Sequence, residues 1–208
     1  MAEKKFSIGE AFGFAWNTAV NNFGFFVGLL FILFLINFIP AFLAGIFRPF
    51  CPLSFFISLA GWIIQMIASI GLIKIALRFC DNEKGLYSDL YRYGHLFFKY
   101  LIGSTLYGLA VMGGLILLII PGIIWGIQFS FFPYFTVEKE AAPLEALKKS
   151  SLLTAGVKWP LFWFYLLIIG FNILGFLFFL IGLLITIPAS MLAHAWVYRK
   201  LLAQTNLS

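Results

Sequence analysis

Charge is what this sequence lacks. Acidic and basic side chains make up 11% of its 208 residues, well below the roughly 25% of ordinary globular chains. Two stretches, Leu101–Val137 and Trp159–Ala193, contain no Asp, Glu, Lys, Arg or His over 37 and 35 residues. No polar stretch is long enough for a separate soluble domain, so the chain reads as one integral membrane domain, residues 1–208. All eight carboxylates (Glu3, Glu10, Asp81, Glu83, Asp89, Glu138, Glu140 and Glu145) fall outside the apolar runs. That leaves no intramembrane acid of the kind a proton-coupled transporter relies on. Two cysteines and two histidines, scattered along the chain, give no metal-ligand spacing, and neither a metal nor a cofactor is expected. Phosphate-binding glycine loops, Gly-x-Ser-x-Gly and paired acids are missing too, which argues against an enzyme. The N-terminal segment lacks a small-x-small cleavage site, and its apolar run is too long for a signal peptide, so it is expected to be retained.

What fills the sequence instead is apolar surface: 62% of residues are hydrophobic, 27 of them Phe. In lipid, Phe is packing material, and a nucleic-acid partner is not expected despite the net charge of +6. As a helix, Leu101–Val137 would reach about 55 Å, nearly twice the roughly 30 Å of a bilayer's hydrocarbon. It must therefore cross twice. Pro121-Gly122 supplies the expected hairpin break, since proline disfavours helix at the residue before it and glycine accepts unusual dihedrals. The same logic gives six spans, at about 23–47, 53–78, 100–119, 122–137, 159–181 and 186–203. The expected fold class is an all-α polytopic transmembrane helical bundle of three hairpins.

Between the spans lie three amphipathic stretches, at about 6–21, 87–99 and 142–155, expected to be interfacial helices. The first opens on Ser7-Ile8-Gly9-Glu10, a capping-box pattern, with Phe12, Ala15, Trp16, Ala19, Val20 and Phe23 on one stripe. In the third, Pro143 suits a first turn, Glu145 and Lys149 pair at i,i+4, and Gly156 suits a stop. Ile39-Pro40-Ala41, Ile120-Pro121-Gly122 and Ile187-Pro188-Ala189 echo one another across the three units. Their offsets differ, so no fixed repeat period emerges.

With six spans, 13 of the 14 Lys and Arg fall on one side and only Arg48 on the other. The positive-inside rule then puts both termini in the cytoplasm, in a multi-pass protein of the inner (cytoplasmic) membrane. Cys51 and Cys80 fall at opposite ends of one span and cannot pair, because a disulfide needs Cα atoms within about 7 Å.

Four amides near mid-span, Asn37, Gln65, Gln128 and Asn172, form a candidate intramembrane polar cluster. They read either as a small-ligand pocket or as interhelical hydrogen bonding. His194, about one turn from Arg199, reads as a packing or hydrogen-bonding residue ahead of a proton relay. Lys148, Lys149 and Lys158 are candidate contacts for anionic lipid head groups. The expected partners are membrane lipids, with a membrane-protein partner or a second copy of the chain.

The run Leu118-Ile119-Ile120-Pro121-Gly122-Ile123-Ile124 leads through Pro133-Tyr134 to Glu145-Ala146-Leu147-Lys148-Lys149-Ser150. Trp159, Asn172-Ile173-Leu174-Gly175 and Pro188 follow. Over roughly residues 70–200 this resembles the uncharacterised bacterial six-span membrane families around YciC and the membrane domain found beside some glycerophosphodiester phosphodiesterases. The resemblance implies fold and location and carries no assigned catalytic or binding residue; the phosphodiesterase catalytic domain has no counterpart here. The expectation is a non-enzymatic lipid-interacting scaffold or partner subunit of the bacterial cell envelope. The alternative is a small-solute transporter or channel with an amide-lined interior.

Overall fold

The structure, a computed structural model, describes residues 4–47, 51–178, 181–205 and 207, without the side chain of Cys51. Arg48, the lone basic residue expected on the far side, lies outside the described residues. The helices are α1 (Ile8–Asn21), α2 (Phe23–Ile46), α3 (Cys51–Cys80), α4 (Asp89–Arg92), α5 (Phe97–Leu117), α6 (Ile119–Phe129), α7 (Phe132–Glu138), α8 (Pro143–Thr154), α9 (Lys158–Leu177) and α10 (Leu183–Leu202). A single 3-10 turn, Gly94–Leu96, precedes α5, and the described residues contain no strand. The bundle is all-α.

Among the described residues, five helical stretches are long and apolar enough to cross a membrane: Phe23–Ile46, Pro52–Cys80, Asp89–Leu117, Ile119–Glu138 and Lys158–Leu177. The sixth expected span, α10, has the length at 20 residues but not the apolarity. The reason is its position. Leu192, Ala193, Ala195, Val197, Tyr198 and Leu201 are fully buried, so α10 is solvated by other helices and carries Thr186, Ser190, His194 and Arg199 among protein partners. It returns antiparallel to α9, and Lys5 and Gln204 exchange backbone–amide hydrogen bonds of 2.8 Å. The residues near the two ends of the described chain thus lie side by side.

Burial is concentrated at the end where the charged residues gather. Phe26 and Leu29 near the start of α2, Ala68, Ile75, Ala76, Leu77 and Phe79 in α3, most of α7, and Leu161 and Phe164 at the start of α9 are buried around α10 there. Toward the other end Phe34, Phe42, Phe55, Ile116, Ile120, Leu177 and Ile181 are exposed. Each hairpin holds itself together near its tip by a glycine contact. A side chain at Gly61 would fall 2.5 Å from Pro40 Cβ, at Gly114 2.8 Å from Gly122 Cα, and at Gly182 2.7 Å from Gly175 Cα. Small residues permit such close approach where lipid provides no hydrophobic drive between helices.

The break of the second hairpin is Leu118, extended at φ −166° and ψ 148°, and not Pro121-Gly122. Pro121 sits in the first turn of α6, where its missing N–H costs no intrahelical bond. Gly122 instead serves the contact with Gly114. Pro40 and Pro188 both lie inside helices, so neither ends a span.

The amphipathic stretches also differ from a surface arrangement. α1 is capped as expected, Ser7 Oγ accepting from the Glu10 N–H at 3.3 Å. It lays Ala11, Ala15 and Ala19 against α10, with Phe12 ring-packed on Phe164 and Phe171. The second stretch does not form one helix: Tyr93 and Gly94 interrupt it, leaving α4, the 3-10 turn and the start of α5. α8 buries Ala146, Leu147, Ser150, Leu153 and Thr154 between α5, α6 and α7. It stops at Ala155 before Gly156, whose φ of 87° suits glycine. Cys51 and Cys80 begin and end α3, about 44 Å apart at helical rise, and Cys80 is a free thiol.

Candidate functional site

Polar side chains in the packed end are organised by α10. His194 places Nε2 2.6 Å from the Tyr165 hydroxyl and Nδ1 3.3 Å from the Tyr134 hydroxyl. A neutral imidazole has one donor and one acceptor nitrogen, so one tyrosine donates to it and the other accepts. The rings of Phe131 and Phe164 pack over it at 4.8 and 6.3 Å. One turn on, the Tyr198 hydroxyl donates to Glu138 Oε2 at 2.8 Å. Arg199 bridges Glu138 and Asp81, the latter at 2.6 Å. This Asp81–Arg199–Glu138–Tyr198 chain ties the ends of α3, α7 and α10 together. Beside it, Asp89 is fully buried, with Oδ2 3.1 Å from Arg78 Nε. Gly71 allows α4 to approach that closely, since a side chain there would fall 2.4 Å from the Asp89 carbonyl oxygen. Tyr134, Tyr165 and Tyr198 were absent from the sequence-derived candidates. The i,i+4 spacing of His194 and Tyr198 was the one local signal, and the cross-helix tyrosines left none.

The four amides do not form one cluster. Asn37 and Gln65 share a hollow of about 270 Å³ between α2 and α3, with Pro40 and Ser58. Asn37 donates to Leu33 O in its own helix at 2.8 Å. Asn172 donates to Ser190 Oγ at 2.7 Å across the α9–α10 hairpin. Gln128 lies near the break between α6 and α7. Its Nε2 donates to Ser151 Oγ at 2.7 Å and its Oε1 accepts from Lys158 at 2.7 Å. Its backbone carbonyl accepts from Ser150 and Thr154 at 3.0 and 3.1 Å, and Ser150 Oγ accepts from the Phe131 N–H at 3.1 Å. Two hydroxyls of α8 thereby satisfy the backbone groups that the break frees, the condition on which an irregular segment is tolerated inside a bundle.

The three candidate lysines differ. Lys149 is paired with Glu145 at 3.1 Å. Lys148 is exposed on the surface of α8. Lys158 opens α9 at the rim of an apolar groove of about 340 Å³, walled by Ile120, Ile123, Ile124 and Ile127 of α6 and by Trp159 and Phe162 of α9. Through Ile123, Ile127 and Phe162 this groove shares walls with a second hollow of about 350 Å³, which reaches Tyr107, Ser130 and Tyr165. Among the described residues no three His, Cys, Asp or Glu side chains gather as metal ligands.

A family described as protein of unknown function (DUF975) matches residues 54–205. An uncharacterized protein of Mycobacterium bovis is 30% identical over 149 residues, covering 70% of this chain and 44% of that protein. An uncharacterized protein of Mycobacterium tuberculosis matches with the same figures. The chain therefore spans less than half the length of these curated relatives. No solved structure matches it. These matches give an uncharacterised family and lend no support to the resemblance to YciC or to the phosphodiesterase membrane domain.

Proposed function

The chain belongs to the DUF975 family of unknown function, and from that premise we propose that it is a non-enzymatic scaffold or partner subunit of the bacterial inner membrane that works by holding lipid. One observation carries this reading. His194, Tyr165, Tyr198, Glu138, Arg199 and Asp81 in the packed end are paired with one another, while the outer halves of the three hairpins present bare apolar faces. Such surfaces suit acyl chains. A transporter would call for a continuous polar path, and the separation of Asn37 and Gln65 from Gln128 and from Asn172 argues against one. In this reading the charged end, with both termini, faces the cytoplasm, as the excess of Lys and Arg there favours.

Native mass spectrometry of the protein released from gently extracted membranes tests it. The expected spectrum shows retained phospholipid on one chain or on a small homo-oligomer. Bare protein in every extraction, or protein carrying a small polar metabolite, sinks the proposal and turns attention to the Asn37–Gln65 hollow.

A further inference from the structure

We infer that the groove between α6 and α9 is a binding site for one anionic phospholipid, with its phosphate on Lys158 and an acyl chain along the isoleucine face of α6. The inference rests on the lipid-holding reading above and names its site.

The charge is the first argument. Lys158 has as its described partner the neutral Oε1 of Gln128, and no carboxylate lies within ion-pair distance of it among the described residues. Arg78, Lys99, Lys149, Arg199 and Lys200 face acids; of the described basic residues without such a pair, Lys4 is held by the Leu152 and Leu153 carbonyls and Lys74 lies over the Tyr93 ring, while Lys158 alone of these lines an apolar groove. Ser151 fixes the Gln128 amide, so Gln128 holds the lysine in place without neutralising it. An ammonium has three N–H donors, and two remain for phosphate oxygens. The start of α9 adds to this, since its cap residue, Val157, offers no side-chain acceptor to the backbone N–H groups of Lys158 and Trp159, the two the first turn carries before Pro160. An anion there meets the positive end of a 20-residue helix.

Shape is the second argument. A cation that heads an apolar groove matches the order of a phospholipid, head group then chain. Four isoleucines spaced over Ile120–Ile127 give a wall about 10 Å long, and the second hollow extends it toward Ile169. Trp159, 75% exposed beside Lys158, is the side chain type that collects at head-group level. Neither Lys148 nor Lys149 has such a groove, so a diffuse basic surface does not account for the arrangement.

The test uses the full chain reconstituted in bilayers of equal phosphatidylglycerol and phosphatidylcholine, then native mass spectrometry of the released protein. Wild type is expected to retain phosphatidylglycerol in preference. Lys158→Gln should lower that retention about fivefold, the effect of one lysine near an anionic lipid. Ile123→Trp, which fills the shared wall of both hollows from a partly exposed position, should abolish retention of either lipid. Lys148→Gln should behave as wild type. If Lys158→Gln and Ile123→Trp both keep phosphatidylglycerol as wild type does, the groove is not the site, though a lipid-holding protein remains. If wild type retains no lipid, both the site and the broader reading fall. A lipid-free wild-type dimer that Ile123→Trp splits into monomers would show that the groove holds a second copy, which also overturns the inference.

Discussion

Asp89, fully buried, and His194, half-buried, are held for opposite reasons. A fully buried carboxylate persists only with its charge answered, and Arg78 is the charged group that answers it. Removing one member of such a pair typically costs 3–5 kcal/mol, because an isolated charge is left inside. Arg78→Met should therefore destabilise the fold by about that amount, while Arg78→Met with Asp89→Leu should recover most of it. Thermal unfolding midpoints in detergent, measured for both single variants and the double, decide this; a double variant no better than Arg78→Met would refute the pairing. His194 is held by neutral hydroxyls and by packing, so losing one bond is cheaper. Tyr165→Phe, which keeps the ring, should cost about 1 kcal/mol. A loss several times larger would mean that Tyr165 does more than hold the imidazole. Neither arrangement was legible in the sequence. Asp89 reads there as one charge in an amphipathic stretch, and only the packing of α4 onto Gly71 turns it into a core residue.

At the scale of the element, proline and glycine have different roles in the second hairpin. Pro121 occupies a first-turn position, so Pro121→Ala should change stability by less than about 1 kcal/mol. Gly122 touches Gly114 and Leu115, and Gly122→Leu should cost about 1–3 kcal/mol through overpacking. The comparison is a thermal or denaturant midpoint of each variant against wild type. A costly Pro121→Ala with a silent Gly122→Leu would restore Pro121 as the element that makes the turn. The existence of the hairpin was readable from length and missing charge alone, since both follow from the thickness of a bilayer. Its turn was not, because the run LILLIIPG offers helix-forming residues on both sides of Leu118 and only tertiary contact chooses among them. The same limit explains α1. Its apolar stripe marks a helix with a preferred face, but whether alanines dock on α10 or aromatics dock on lipid depends on a partner almost 180 residues away. Sequence did place α8 and its stop, because Pro143 and Gly156 act locally.

For the whole molecule, the separation of charge from apolar surface is the feature that orders everything else. The Arg199 ion pairs join the ends of α3, α7 and α10 at one end, whereas Leu115–Ile120 and Leu177–Phe178 at the other carry no polar side chain. This division follows from sequence by itself, since a basic residue inside hydrocarbon costs several kcal/mol. What sequence could not show is that the amides would part company: mid-span position sets their depth, but their direction around each helix is fixed by neighbours. The charge division also sets an orientation that can be measured. In a background with Cys51→Ser and Cys80→Ser, Ile119→Cys at the exposed hairpin tip should react on intact cells with a membrane-impermeant maleimide. Thr205→Cys, beside Gln204 and Lys5, should react only after the membrane is opened. Labelling of both on intact cells would rule out termini inside. Reversed labelling would mean that the basic end faces outward, and the lysine excess would then have to be explained by partners on that side instead of by insertion.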